Sequence, residues 1–256
     1  MLSVKNLTMK YPTAGRPALD DFNLELATGE FVSLLGASGC GKTTALRIVG
    51  GLLQQVEGEV YVDGTLSTGP SRNKAMVFQH FNLLPWRTAL NNVAYGLELQ
   101  GVRKRQRLLI AAEYLNLVGL NAHADKYPSQ MSGGQNQRLG LARALAIQPK
   151  LMLMDEPFGA LDALTRESLQ IMLQKICDQT EIAVLFVTHS IDEAIFLSDR
   201  ILVMTTPGHV IKEATVNLPK PRSEYDWRDT DEYRSLRSDI WSVLEHESAL
   251  QTETAH

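Results

Sequence analysis

The chain has 256 residues, 44% of them apolar, and a formal net charge of −4. That length supports a full core, as one large domain or a domain with an insertion, and the acidic balance argues against a general nucleic-acid binder. Two cysteines, Cys40 and Cys177, exclude a disulfide framework and suit a reducing compartment, and no apolar run approaches the ~20 residues of a membrane span.

Leu2 to Met9 and Phe22 to Leu26 alternate apolar with polar residues and predict half-buried strands. Met1 to Lys10 has no long apolar core, so no signal peptide is expected. Between the strands, Tyr11-Pro12-Thr13-Ala14-Gly15 is rich in turn formers. Tyr11 is either a strand-end aromatic or a platform for a planar ring.

Phe31 to Leu35 is a short apolar run that predicts a buried strand. Gly36-Ala37-Ser38-Gly39-Cys40-Gly41-Lys42-Thr43-Thr44 follows and fits the phosphate-binding loop G-x-x-x-x-G-K-[ST]. Thr43 to Val49 predicts a helix that ends at Gly50-Gly51. The glycines let backbone N–H groups turn inward on an anion, and the first helical turn adds its own unpaired N–H groups. Lys42 is placed to reach the β- and γ-phosphates, and the Thr43 hydroxyl to ligate Mg²⁺. Cys40, beside a helix start and a lysine, is expected to be an accessible thiolate that reacts before Cys177 and is shielded by nucleotide.

Gly58 to Val62 predicts a strand with Asp63-Gly64 as its hairpin turn, and Ala75 to Phe78 a strand ending at Gln79. From Phe81 to about Leu145 the texture is helical. Leu90, Val93 and Leu97 fall on one face, and Leu108, Ala112 and Leu115 on another. The run Arg103-Lys104-Arg105-Gln106-Arg107 predicts a solvated helix face. Met131-Ser132-Gly133-Gly134-Gln135 precedes a helix running to Ile147, which makes it a second anion site or a plain cap.

Leu151 to Met154 and Val184 to Val187 are continuous apolar runs suited to central parallel strands. Leu169, Met172, Leu173 and Ile176 mark a helix between them. Asp155 ends the first run, where a metal-holding carboxylate is needed, and Glu156 beside it is placed to orient or deprotonate water. Ile201 to Met204, Pro207-Gly208 and Val210 onward predict a hairpin. Pro219 and Pro221 punctuate a linker. Tyr233, Leu236, Ile240, Val243 and Leu244 predict an amphipathic C-terminal helix that packs on the core. Strands alternating with helices predict an α/β fold with a parallel sheet.

With these motifs in order from Tyr11 to about Asp199, the chain resembles the ATP-binding subunit of an ABC transporter. The resemblance implies a P-loop core with an N-terminal antiparallel β part and a helical subdomain at about 81–145. The ATP-binding domain would span 1–220, and a linker and helix 221–256. It also implies ATP and Mg²⁺ as ligands. Gln79 falls at the family's Q-loop and would join Thr43 and Asp155 at the metal. Ser132, Gly133, Gly134 and Gln135 match the signature that acts on the partner subunit's ATP, with Met131 for the usual Leu and Asn136 for the commoner Gln. Leu161 and Asp162 match the D-loop, with Gly159 where Ser is common. Glu156, Lys42 and the switch histidine, His189, would be the catalytic set. The usual Asp after that histidine is Ser190 here, and Ser190 with Glu193 predicts a capping box.

The implied partners are a second copy or a related cassette, transmembrane permease subunits and a solute-binding protein, at the cytoplasmic face of the membrane. Asn82 to Trp86 and Asp155 to Arg166 look most like importers of nitrate, sulfonate, taurine or bicarbonate. A GTPase switch would need Asn-Lys-x-Asp, and Asn73-Lys74-Ala75-Met76 lacks the Asp. A non-transport ABC ATPase is the other alternative; such proteins carry long coiled coils or paired cassettes.

Overall fold

The computed structural model describes residues 1–12 and 15–253, with side chains to Glu247; Thr13 and Ala14 of the predicted loop lie outside them. In chain order the strands are β1 (Leu2–Met9), β2 (Leu19–Leu26), β3 (Phe31–Gly36), β4 (Glu57–Val62), β5 (Thr65–Leu66), β6 (Lys74–Val77), β7 (Leu151–Asp155), β8 (Ala183–Thr188), β9 (Arg200–Thr205) and β10 (His209–Thr215). The α-helices are α1 (Lys42–Val49), α2 (Ala89–Val93), α3 (Tyr95–Leu99), α4 (Lys104–Leu117), α5 (Gly133–Ala146), α6 (Ala163–Asp178), α7 (Ile191–Leu197) and α8 (Asp231–Glu253). The fold is α/β, and the chain divides into two compact units, residues 1–70 with those from 174 onward, and residues 71–173.

In the first unit, β2-β1-β4-β5 form an antiparallel sheet. Asp63 and Gly64 both have positive φ, 50° and 71°, the twist a two-residue hairpin requires. A second set runs β10-β9-β3-β8, with β3 parallel to both of its neighbours. Every residue of β3 and β8 is buried, which is why both read as mainly apolar runs; the polar Ser33 within β3 is paired with the Ser198 hydroxyl. Helix α1 buries Ala45, Leu46, Ile48 and Val49.

The C-terminal helix packs as its stripe predicts, with Tyr233 and Ile240 buried. Trp227 sits 5.3 Å from the Phe196 ring and edge-on to Tyr233 at 4.9 Å. The stretch after Pro219 is more than a linker. Arg222 is fully buried and donates to the carbonyls of Phe196 (3.0 Å) and Ser198 (2.9 Å), capping the end of α7. Burial pushes its pKa down.

In the second unit β6 and β7 pair in parallel. Helices α2 to α5 enclose a cluster that includes Val93, Leu97, Leu115 and Leu139. Helix begins only at Ala89, not at Phe81. The intervening loop is held by Asn92, whose buried amide accepts from Leu84 N–H at 2.8 Å and donates to the carbonyls of Leu84, Arg87 and Thr88. The stripe of α4 also differs from expectation. Ala112 is exposed, and Ala111, Leu115 and Val118 are buried, a stripe at i, i+4 and i+7 that a 3.6-residue period places on one face. Arg103, Lys104 and Arg105 are exposed, as a solvated face should be. Among the described residues no helix is long and apolar enough to cross a membrane.

Candidate nucleotide site

The phosphate loop leaves β3 at Gly36 and enters α1 at Lys42. Gly41 has φ 100°, and a Cβ there would lie 2.3 Å from the Ala18 carbonyl, so no other residue fits. Lys42 is buried, 5% exposed. Its ammonium donates to the carbonyls of Gly36 (2.7 Å) and Ala37 (2.9 Å), which holds the side chain folded under the loop. Ala37, Ser38 and Gly39 are exposed at the crest, and Thr43 is half-buried. The Tyr11 hydroxyl lies 3.2 Å from Thr44 Oγ1, which fixes the ring beside the first turn of α1.

Cys40 does not behave as the sequence predicts. It is 1% exposed, its sulfur lies 3.8 Å from the Lys42 ammonium, and burial raises its pKa despite that charge. Desolvation of the thiolate outweighs the charge that favours it. The thiol faces the core behind the loop. Cys177 is half-buried, and desolvation pushes its thiol up to about 12. Brief maleimide treatment of the native chain should therefore leave both thiols unmodified, with two additions only after unfolding. Rapid loss of ATPase activity through Cys40 labelling, detected by mass spectrometry, would contradict this placement.

His189 follows β8 and is exposed. The residues around it are tightly held. The Ser190 N–H donates to Thr188 Oγ1 at 3.0 Å, and that hydroxyl donates to the buried Glu193 carboxylate at 2.7 Å. The Ser190 hydroxyl accepts from Glu193 N–H at 3.3 Å, so Ser190 caps α7. The predicted capping box is thus modified: the Glu193 carboxylate accepts from the Thr188 hydroxyl, which in turn receives Ser190 N–H. His189 lines a cleft of about 400 Å³ with Gly36, Ala37, Met204, Trp241 and Glu245. One wall of that cleft is the C-terminal helix, a neighbour that its amphipathic pattern alone does not reveal.

The remaining candidates lie in the second unit. Asp155 ends β7 and is 7% exposed. Glu156 has φ 44°, a left-handed backbone that costs a non-glycine residue about 1–2 kcal/mol. Gly159 N–H closes the turn on the Glu156 carbonyl at 3.2 Å. A Cβ at Gly159 would stand 3.8 Å from the exposed Gln79 amide nitrogen and 3.9 Å from a Glu156 carboxylate oxygen. Gln79 and Glu156 therefore flank one point, and the serine common in the family would have room there. The Gln79 segment is fixed by Arg143, which donates to the carbonyls of Phe81 (2.9 Å) and Asn82 (2.7 Å). Sequence reasoning missed this residue, because nothing in an α5 pattern says where an arginine head ends.

Asp162 accepts from Thr165 N–H at 3.0 Å, which caps α6 and holds the carboxyl below its usual range. Ser132 caps α5: its hydroxyl accepts from Gln135 N–H at 3.3 Å, and the Gln135 side-chain oxygen accepts from Ser132 N–H at 3.0 Å. Gly133 and Gly134 open the helix. A Cβ on Gly134 would lie 2.5 Å from Thr165 Cγ2, so the starts of α5 and α6 are pressed together. Ser132 and Asp162 thus cap two helices in contact. Asn136 donates to the Pro128 carbonyl at 3.0 Å, steadying the approach to Ser132.

The sequence profile described as "ABC transporter" matches residues 19–159. The chain belongs to the ABC transporter family. It is 46% identical to an uncharacterized ABC transporter ATP-binding protein of Methanocaldococcus jannaschii, over 96% of this chain and 92% of that one. It is 44% identical to the nitrate import ATP-binding protein NrtC of Synechococcus elongatus, over 90% of this chain but 36% of that protein. It is 42% identical to the bicarbonate transport ATP-binding protein CmpC of the same species, over 98% of this chain and 39% of that protein. A dimeric structure of the ATP-binding cassette MJ0796 in a post-hydrolysis state, bound to ADP and Pi, matches with a TM-score of 0.77 and 36% identity, over 86% of this chain and all of that one. This ABC chain is an ATP-binding and ATP-hydrolysing subunit of a transporter.

Proposed function

We propose that the chain powers uptake of a small anion such as nitrate, sulfonate, taurine or bicarbonate. What carries the reading is similarity over 90% or more of the chain to proteins named for nitrate import and bicarbonate transport. Two cassettes sandwich two ATP molecules, bind separate permease subunits at the cytoplasmic face of the membrane, and receive solute from a binding protein. Dimeric structures of a related cassette support the pairing. Residues 1–220 form the ATP-binding domain, with 81–145 as its helical subdomain and 221–256 as an appended linker and helix.

Each residue then has a part. The N–H groups of residues 36 to 44 cradle the phosphates, with Lys42 on the β- and γ-oxygens, and Tyr11 stacks on the base. The hard oxygens of Thr43, Gln79 and Asp155 fit Mg²⁺, an octahedral oxygen-seeking ion. When bound, the ion neutralises phosphate charge. Glu156 takes the proton of the attacking water. His189 holds the γ-phosphate, and Ser132 with Gly133, Gly134 and Gln135 closes over the partner's ATP. Asp162 fixes the edge of that closure.

The test is purification from the native membrane in mild detergent. Membrane-spanning subunits should accompany the chain, and nitrate, sulfonate, taurine or bicarbonate, with the solute-binding protein, should raise the ATP turnover of the reconstituted complex. Recovery free of any membrane-spanning protein would overturn the transport reading. Stimulation by a cationic or sugar solute alone would overturn the anion assignment.

A further inference from the structure

The signature serine is held by a chain of contacts that reaches beyond the motif. Ser132 N–H must meet an oxygen, so the Gln135 amide presents Oε1 to it, at 3.0 Å. The Gln135 amide nitrogen therefore faces the other way, where His123 Nε2 lies 3.1 Å from it. An amide nitrogen only donates, so His123 Nε2 must accept, which places the ring proton on Nδ1. That Nδ1 is buried and has no hydrogen-bond partner among the described residues. A buried donor left unmatched forfeits the hydrogen bond it would make in water. The ring keeps this orientation despite that loss because its acceptor is committed to Gln135. Its backbone is fixed in turn, with His123 N–H on the Leu120 carbonyl at 2.9 Å and its carbonyl taking Lys126 N–H at 3.0 Å.

We propose that His123 is a positioning residue for the signature: it locks the Gln135 amide, and through it the backbone and hydroxyl of Ser132. The inference rests on the reading above, in which Ser132 acts on the partner's ATP. Without the acceptor at His123 the Gln135 amide is free to turn, and the reciprocal cap on Ser132 loosens. A loss of closure geometry by a fraction of an ångström lowers the rate of the closed dimer without touching the chain's own phosphate loop.

Four full-length chains decide it: the parent, His123→Leu, which fills the space without an acceptor, His123→Gln, whose amide oxygen can replace Nε2, and Ser132→Ala. His123→Leu should lower kcat about tenfold while MgATP affinity stays within about twofold, and His123→Gln should recover most of the rate. Loss of rate in Ser132→Ala without loss in His123→Leu overturns the role of His123 alone. An equal loss in His123→Leu and His123→Gln shows a packing role and also overturns it. A Ser132→Ala chain with the parent's rate overturns the reading on which the inference rests. Histidine ring NMR of the parent gives a test that needs no destabilised variant. Of the chain's six histidines, the resonance missing in His123→Gln should report a proton on Nδ1 at pH 8, and a proton on Nε2 would sink the proposal.

Discussion

Glu156→Gln should bind MgATP as the parent does and hydrolyse it at least a hundredfold more slowly. The amide keeps the shape and the left-handed backbone of the turn but cannot take a proton, and a positioned base contributes ~10²–10⁴ in rate. An ATP-stabilised dimer should accumulate, visible by light scattering and dispersed by removing the nucleotide. The backbone supplies a second arm. With φ at 44°, Glu156 carries strain that glycine would not, so Glu156→Gly should raise the unfolding free energy by about 1 kcal/mol while abolishing turnover. Gain of stability with loss of activity is the mark of a residue kept for chemistry. Turnover of Glu156→Gln at the parent's rate would take the catalytic carboxylate away from this position.

What was legible in the sequence follows from how local each signal is. The phosphate loop is fixed by three glycines and a lysine within nine residues, and the buried strands β3, β7 and β8 by runs that are apolar apart from Ser33 and the last residues of β7 and β8, so they are found within a residue or two. The C-terminal stripe of Tyr233 and Ile240 is equally local. Cys40 shows the opposite case. Its sequence neighbours, a helix start and a lysine, argue for a reactive thiolate, but reactivity depends on whether the sulfur meets solvent, and the fold turns it inward. Propensity also misplaces the start of helix at Phe81, because the loop before Ala89 is organised by one buried amide, Asn92, whose four bonds fold the chain from Leu84 to Thr88 back onto it. Arg143, Arg222 and His123 were invisible in periodicity for a different reason. Each acts on backbone or side chains far along the chain, or across a turn, and nothing in a periodic pattern encodes where a long or planar side chain ends. Ala112 differs again: both it and Ala111 lie near the Leu108 side of the helix, and the packing of α4 against α2 and α5, which takes in Ala111, Leu115 and Val118, decides which one is buried.

Lys42→Ala should show the other large effect. The ammonium is the one fixed positive charge within the phosphate loop, and a charge-assisted hydrogen bond to an anion is worth about 1.5–3 kcal/mol. On the proposed role of Lys42 at the β- and γ-phosphates, its loss should weaken MgATP binding by at least tenfold and reduce turnover by more than a hundredfold, since charge that develops on the γ-phosphate then lacks the lysine's compensation. The structure adds a stability term. Lys42 Nζ also satisfies the carbonyls of Gly36 and Ala37, and Gly36 is buried, so the nucleotide-free variant should unfold at a lower temperature. That term must be separated from binding, which is done by titrating MgATP well below both melting transitions. Lys42→Arg should not restore turnover, because a space that leaves the lysine 5% exposed has no room for a planar guanidinium. In the parent, saturating MgATP should raise the melting temperature, and in Lys42→Ala the rise should shrink in step with the lost affinity. Parent-like affinity and turnover in Lys42→Ala would mean that the ammonium serves only the loop's own carbonyls, and the phosphates would then have to be held by backbone N–H groups alone.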